Sequence, residues 1–360
     1  MTGNPQHVLR AKLEVSEERA GAFQDACASF QLAKLLMRVA QIAILAVLPP
    51  KGIVYLAYAV MFVAVLVPYS LGGIAIGLFE GTFLSVISPL GKNTKTFVIM
   101  GAPLGFAAHN IPLGLLQQWG MPLLVYYLYT LFCLPLGLLV FHWYAPVVRA
   151  GTSEGKGLHT FLRSLASPAA WVPAALPWFI AKLCGNFVLE DAFPLLFNIY
   201  NTSRVPLLDP ASTTFTVPTG YYLSLFWFVM VALGDTISRR VPNYISLRSG
   251  RARAACIAGA LVMCVVGEAL NFLLQAIVTG LAALVANFGN GFIYGLSAKF
   301  IDTFIPAEHR YAAYNLWCLF GDVGGYIGQS SMSVRIARRA CHGQHYTYVC
   351  HESTARGMQA

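Results

Sequence analysis

Long apolar segments recur along the chain, and short polar stretches separate them. Their lengths of about 17 to 25 residues match what a helix needs to cross a hydrocarbon core of about 30 Å. The segments are continuously apolar rather than alternating, which favours membrane helices over a β-barrel. The pattern predicts nine spans, with residues 79–90 either extending the second or forming a re-entrant piece. The predicted spans are 33–49, 53–78, 96–117, 121–145, 170–195, 219–238, 254–273, 277–299 and 312–334.

Composition agrees with this pattern. Of the 360 residues, 57% are hydrophobic and 11% are charged, whereas a soluble protein carries about 25% charged residues. The predicted class is therefore an all-α, polytopic helical membrane protein. The polar stretches divide it into an N-terminal segment 1–30, an incomplete N-terminal helical bundle 31–145, a cytoplasmic linker 146–169, a C-terminal helical bundle 170–335 and a polar tail 336–360.

The net charge of +9 is spread over the loops between spans, which indicates membrane orientation rather than nucleic-acid binding. With the N-terminus in the cytoplasm, most cations of the loops and span ends, Lys34, Arg38 and Lys95 among them, lie on the cytoplasmic side, and Lys51 and Arg204 lie on the lumenal side. The same topology places Asn201 of an Asn-Thr-Ser tripeptide in a lumenal loop, where it is a candidate glycosylation site. Nine spans leave the arginines of the tail, which begin at Arg335, on the lumenal side, against the positive-inside rule.

Ionisable residues inside the predicted spans are the candidates for function, because they are costly in lipid and face a bundle interior or a wet cavity. Glu80 is flanked by Gly77 and Gly81, and Asp322 stands in the glycine-rich stretch LFGDVGGYIG. Small residues let helices approach closely, so both carboxylates are predicted to face protein. For Glu80 two roles stay open: a neutral carboxyl that locks two helices together, or a group that binds protons or substrate.

Asp235 and Arg239 are four residues apart and therefore neighbours on one helix face. They form either an interfacial ion pair that fixes the depth of the span or a part of the substrate path or gate. Further candidates of this kind are Lys182, Glu190, Asp191 and His109, whereas Glu268 is predicted near the lumenal end of its helix, where a charge needs no special role.

No catalytic signature such as G-x-S-x-G, H-E-x-x-H or a phosphate-binding loop is present, so the sequence predicts no enzyme, no cofactor and no metal site. Cys341 and Cys350 lie near histidines in the tail. A disulfide, a metal clip or neither are the alternatives that their spacing leaves open.

Several stretches resemble the battenin family. Residues 77–85, GLFEGTFLS, are similar to its G-L-x-E-x-T-F-L-S segment, and residues 192–197 followed by Asn-Thr-Ser are similar to its F-x-L-L-F run before N-T-S. Gly234 with Ser238 and Arg239 resembles its G-x-x-x-S-R helix end. The family's G…Y…E-H-R…A…C…G pattern is matched by Gly291, Tyr294, Glu308, His309, Arg310, Ala313, Cys318 and Gly324. Together these matches cover roughly residues 70 to 330.

The resemblance implies a major-facilitator-like fold in a lysosomal, endosomal or vacuolar membrane. It further implies a role in lumenal pH balance, basic amino-acid or small-solute handling, and clearance of glycerophosphodiesters. The chain departs from the family in two ways. The family's first two helices have no counterpart, which either an N-terminally truncated sequence or a divergent short form would explain. Pro194 replaces the acidic residue of the F-x-L-L-F segment, with Glu190 and Asp191 one turn earlier.

Glu80, Asp235, Arg239 and Asp322 are thus the substrate or transport candidates, and Glu308, His309 and Arg310 are predicted to couple the last two helices. The predicted partners are the lipid bilayer and a small polar solute, with proton coupling as one option. Two alternatives are an equilibrative nucleoside or nucleobase transporter, whose D-x-x-x-R helix end Asp235 and Arg239 also match, and a non-transporting scaffold for trafficking.

Overall fold

The computed structural model describes eight stretches of the chain, which are 20–45, 47–66, 70–87, 92–144, 158–199, 204–208, 215–271 and 275–341. Within them the chain is almost entirely helical. The first helices are α1 (Ala20–Ile44), α2 (Pro50–Leu66), α3 (Ser70–Ile87), α4 (Lys92–Gln118), α5 (Leu123–Tyr144), α6 (Leu158–Ala166) and α7 (Val172–Ile199). The later helices are α8 (Thr219–Tyr222), α9 (Phe228–Arg240), α10 (Gly250–Asn271), α11 (Ala276–Phe304) and α12 (Arg310–Cys341).

Six helical segments of the described chain are long and apolar enough to cross a membrane, which confirms the predicted all-α, multi-pass class. They are Lys95–Leu116, Leu124–Tyr144, Val172–Glu190, Thr219–Tyr244, Gly250–Asn271 and Ala276–Phe304. The predicted spans 33–49 and 312–334 correspond to α1 and α12, which are long but carry more polar and charged side chains. Helices α2 and α3 are shorter apolar helices.

The predicted span 53–78 is wrong, because α2 ends at Leu66 and a separate helix, α3, begins at Ser70. Residues 79–87, whose place the sequence left open, belong to α3. Pro68 stands between the two helices, and a proline removes a backbone hydrogen bond and clashes with the preceding turn. That proline was the available signal for the break.

Three predicted boundaries also shift. Helix α1 begins at Ala20, inside the segment predicted to be a polar N-terminal stretch, where the Ala-rich sequence AGAFQDACASF favours helix. Helix α12 continues to Cys341, into the predicted tail. The predicted linker contains α6, and a 3₁₀ turn at Pro168–Ala170 joins it to α7. The rest of the tail, with Cys350, lies outside the described residues.

A two-stranded antiparallel hairpin, which the sequence did not predict, precedes α8. Strand β1 (Arg204–Pro206) pairs with β2 (Thr216–Pro218), with Val205 opposite Val217. A π-helical turn, Leu223–Trp227, then joins α8 to α9. Asn201 lies outside the described residues, so its glycosylation stays a prediction.

Helix pairs rather than one central layer build the bundle. Helix α12 packs extensively against α7, while α11 packs against both α9 and α10. Helix α3 lies between α1 and α2. The most extensive contacts between the early helices and the late ones are α4 with α9 and α1 with α12, and α3 also contacts α12. The contact of α1 with α12 holds the most highly charged part of the interior.

Glycines on α12 set its distance from α7. A Cβ at Gly324 would collide with the carbonyl oxygen of Leu183, and a Cβ at Gly328 would lie 2.5 Å from that of Phe187. The glycine-rich stretch around Asp322 therefore allows close helix approach, as the sequence predicted, and Asp322 faces protein.

Candidate functional site

Four charged side chains from three helices meet between α1, α3 and α12. Lys34 and Arg38 lie one turn apart on α1, Glu80 is on α3, and Asp322 is on α12. Lys34 Nζ lies 2.6 Å from Asp322 Oδ1 and 3.7 Å from Glu80 Oε2. Arg38 donates through Nε to Asp322 Oδ2 at 3.0 Å and through Nη2 to Glu80 Oε2 at 3.2 Å. Each cation thus contacts both carboxylates, and we call these four residues the charge cluster.

The four side chains of the charge cluster differ in their exposure. The side chains of Arg38 and Asp322 are 1% and 2% exposed, whereas those of Lys34 and Glu80 are 15% and 28% exposed. Two positive and two negative charges balance, which limits the large cost of burying charge. Glu80 is the more accessible carboxylate, so it is the member best placed to exchange its partners for a solute or a proton.

Small residues bring the backbone of α3 close to α1 around Glu80. A Cβ at Gly77 would lie 2.7 Å from the carbonyl oxygen of Lys34. A Cβ at Gly81 would lie 2.8 Å from Asn315 Oδ1 and 3.1 Å from Arg38 Nη1. The two glycines that flank Glu80 therefore leave room for its partners, and this explains their place in the GLFEG sequence.

Polar contacts continue along α1 on both sides of the charge cluster. Gln41 donates to the Thr82 hydroxyl and to the Tyr311 hydroxyl at 3.4 Å. Gln31, one turn before Lys34, donates to Glu190 Oε1 on α7 at 3.2 Å. Helix α1 therefore presents a polar face to α3, α7 and α12 along several turns.

Asp235 and Arg239 form the ion pair that their spacing predicts. Arg239 donates through Nε and Nη2 to the two oxygens of Asp235 at 2.7 and 2.8 Å. Its remaining amino group donates to the carbonyl oxygen of Ile99 on α4 at 2.9 Å, and its guanidinium lies 4.2 Å from the centre of the Tyr294 ring. The pair thus links α9 to α4 and α11.

Lys182, on α7, is buried and lies near two aromatic rings. Its Nζ is 5.0 Å from the centre of the Tyr294 ring and 5.4 Å from that of Trp317. The two rings meet edge to face with centres 4.7 Å apart. Tyr294 therefore lies between Lys182 and the Asp235–Arg239 pair.

A third charged contact joins α4 to α11. Lys95 Nζ lies 2.9 and 2.7 Å from the two oxygens of Asp302, and it donates to the Tyr314 hydroxyl at 2.5 Å. Sequence reasoning had assigned Lys95 to the loops that set orientation. Its partner is 207 residues away in sequence, so no local spacing could show the pair.

The predicted coupling loop forms a 3₁₀ turn, Ala307–His309, between α11 and α12. His309 is buried, contacts the Ser164 hydroxyl of α6 at 2.9 Å, and stacks on Trp171. Glu308 is exposed, and Arg310 donates to the carbonyl oxygen of Ile305 at 3.0 Å. The loop therefore contacts α6 and stands apart from the charge cluster; its coupling role stays a prediction.

The structure brings Glu80 and Asp322 together through shared cations, and it keeps Asp235 and Arg239 as a separate pair. Sequence reasoning missed the two cations of α1. It interpreted Lys34 and Arg38 as orientation charges at the end of a span, because it began that span at residue 33. The signal was their spacing of four residues, which places both on one helix face.

No family model and no curated protein sequence matches the chain. Among solved structures, the chain is similar to the fucose:proton symporter FucP of E. coli. The similarity covers 95% of this chain and 88% of that chain at 15% sequence identity, with a TM-score of 0.49. A similarity at this level assigns neither a family nor a substrate.

Proposed function

We propose that this chain is a membrane carrier for a small, charged or zwitterionic solute. The observation that supports the proposal is the charge cluster, in which Lys34 and Arg38 share Glu80 and Asp322 between three helices. Charges in the interior of a membrane bundle are costly and commonly mark the pathway of a solute or an ion.

The shared pairing supports a switch between two arrangements. Each cation of α1 contacts one carboxylate on α3 and another on α12. A solute carboxylate can replace Glu80 as the partner of Lys34 while Asp322 still neutralises Arg38. Exchange of partners at a helix interface is a common element of carrier transitions, because packed interfaces have discrete arrangements. Protonation of Glu80 would release the same contacts and couple solute movement to protons.

The finer assignment is also a proposal. The GLFEGTFLS segment that resembles the battenin family contains Glu80, and the two flanking glycines fit the packing of α3 on α1. This supports a battenin-like carrier in a lysosomal or vacuolar membrane, with basic amino acids as the first solutes to test. The nucleoside carrier and the non-transporting scaffold are the alternative outcomes of the same experiment.

Flux measurements on the full chain in proteoliposomes test the proposal. Radiolabelled arginine, glutamate and adenosine are each offered to wild type and to Glu80→Gln, with an inward proton gradient and without it. Glu268→Gln makes the same chemical change in α10, away from the charge cluster, and serves as the control. We expect saturable arginine uptake that Glu80→Gln lowers at least about tenfold and Glu268→Gln leaves unchanged.

Each other outcome has a defined meaning. Uptake of adenosine alone would favour the nucleoside carrier. Uptake that Glu80→Gln and Glu268→Gln affect equally would remove the charge cluster from the pathway. No uptake of any of the three solutes above that of empty liposomes would count against a carrier and favour the scaffold.

A further inference from the structure

Lys182 differs from the other buried cations of the described chain. Four lysine and arginine residues are buried there: Arg38, Lys95, Lys182 and Arg239. Three of them have a carboxylate partner at 3.0 Å or less, namely Asp322, Asp302 and Asp235. Lys182 is only 6% exposed, yet none of the carboxylates that the structure describes lies within ion-pair distance of it.

The carboxylates of this interior have other partners. Glu80 and Asp322 are shared by the two cations of α1, and Asp235 accepts from Nε and Nη2 of Arg239. Glu190, two turns further along α7, accepts from Gln31. Lys182 instead contacts the Tyr294 and Trp317 rings. Such cation–π contacts offset only part of the desolvation of an ammonium group.

Trp317 places a buried hydrogen-bond donor beside Lys182. Its ring is fully buried, and its Nε1 has no hydrogen-bond acceptor among the described residues. A buried N–H group without an acceptor is unfavourable for the same reason as an unpaired charge. Among the described residues, the buried cation Lys182 therefore lacks a carboxylate partner, and the neighbouring N–H of Trp317 lacks an acceptor.

Backbone packing fixes where the ammonium lies. The stem of Lys182 runs over Gly321 of α12, where a Cβ would lie 3.1 Å from both its Cγ and its Cε. Asn186, one turn further along α7, donates to the carbonyl oxygen of Gly321 at 2.9 Å. The contact between α7 and α12 thus directs Lys182 to the rings instead of toward lipid.

We propose that Lys182, with Trp317 and Tyr294, forms a subsite for an oxyanion, either a carboxylate or a phosphate ester, on the solute that the chain carries. An oxyanion supplies the negative charge that Lys182 lacks and the acceptor that Trp317 lacks. The inference rests on the proposed function only for the statement that the bound solute is also carried.

Ligand-dependent thermal stability of the purified full chain in detergent tests the subsite without any transport step. The probes are sodium lactate for a carboxylate and sodium methyl phosphate for a phosphate ester. Lactamide, a neutral analogue, and potassium chloride at equal ionic strength are the controls. We expect one of the two anions to raise the melting temperature saturably, because a ligand that binds only the folded state stabilises it by mass action.

Variants at Lys182 and Trp317 test whether the anion binds at the proposed subsite. We expect Lys182→Gln to raise the half-saturating anion concentration at least about tenfold, Lys182→Arg to retain most of the affinity, and Trp317→Phe to weaken it about three- to tenfold. Trp317→Phe keeps a six-membered aromatic ring at this position and removes the N–H together with the five-membered ring of the indole, so it tests the subsite even if Lys182→Gln does not fold. Arg163→Gln, on the exposed surface of α6, is the control and should bind as wild type does.

Two results would overturn the subsite: no saturable stabilisation by either anion in wild type, or equal stabilisation in wild type and in the variants at Lys182 and Trp317. Binding that depends on Lys182 without flux in proteoliposomes would keep the subsite and remove the carrier. Flux without binding that depends on Lys182 would keep the carrier and remove the subsite.

Discussion

Asp322 carries two ion pairs on a side chain that is almost completely buried. Asp322→Asn keeps the shape but leaves Lys34 and Arg38 with only the more distant Glu80. Loss of one partner of a buried pair costs about 3–5 kcal/mol, because the remaining charge is uncompensated. We therefore expect a clear drop in the melting temperature of the detergent-purified protein, measured by intrinsic fluorescence.

A second substitution tests whether Asp322→Asn lowers the stability because it leaves the charges unbalanced. Adding Lys34→Met to Asp322→Asn removes one cation with the lost carboxylate, so part of the stability should return. Glu308→Gln, at an exposed acid, should change the free energy of unfolding by no more than about 0.5 kcal/mol. A double variant that is less stable than Asp322→Asn alone would contradict the pairing.

At the scale of single residues, the sequence identified the two carboxylates of the charge cluster but not its two cations. Glu80 and Asp322 were visible because a carboxylate in an apolar run is unusual. Arg38 is separated from them by 42 and 284 residues, and no periodicity relates positions so far apart. Lys182 appeared among the candidates, but that it has no carboxylate partner among the described residues is a property of the packed interior and required coordinates.

Among the elements, the contact between α7 and α12 depends on glycine. Gly324→Ala would place a methyl group against the carbonyl oxygen of Leu183. Because this oxygen belongs to the backbone of α7, it can move away only if the two helices separate. Overpacking of this kind costs about 1–3 kcal/mol. Gly259→Ala on α10 is the matched control, because a Cβ there meets nothing within 4 Å, and alanine favours helix by up to about 1 kcal/mol.

The two alanine variants should therefore shift the melting temperature in opposite directions. Equal shifts would show that the close approach at Gly324 is unimportant.

The helical elements were largely predictable, since apolar length alone located most of them. The break between α2 and α3 was missed because the apolar run continues through Pro68, and the hairpin was missed because its strands have three residues each.

For the whole molecule, the extra helix changes the expected topology. If the segment 145–157 is cytoplasmic, as its cations indicate, and α1 to α5 each cross the membrane, the connection between α1 and α2 lies in the cytoplasm. The nine-span prediction placed that connection, with Lys51, in the lumen. Counting five crossings before residue 145 thus brings Lys51 into agreement with the positive-inside rule.

Cysteine labelling distinguishes the two topologies. Val47 is 82% exposed in the α1–α2 connection. In a background with Cys341 and Cys350 changed to Ser, we expect Val47→Cys to react with a membrane-impermeant maleimide only when the cytoplasmic face is accessible. The unmodified background is the control, and labelling from the lumenal face alone would restore the nine-span topology.

The hairpin that precedes α8 ties several chain segments together at one end of the bundle. Val205 is fully buried, Ile277 N–H donates to the carbonyl oxygen of Leu207 at 3.4 Å, and the Tyr222 hydroxyl donates to that of Ala276 at 2.8 Å. The starts of α8 and α11 are thereby anchored to each other. If the chain is the proposed carrier, we expect this anchored end to serve as a pivot, so that the largest displacements occur at the far ends of α9 and α11.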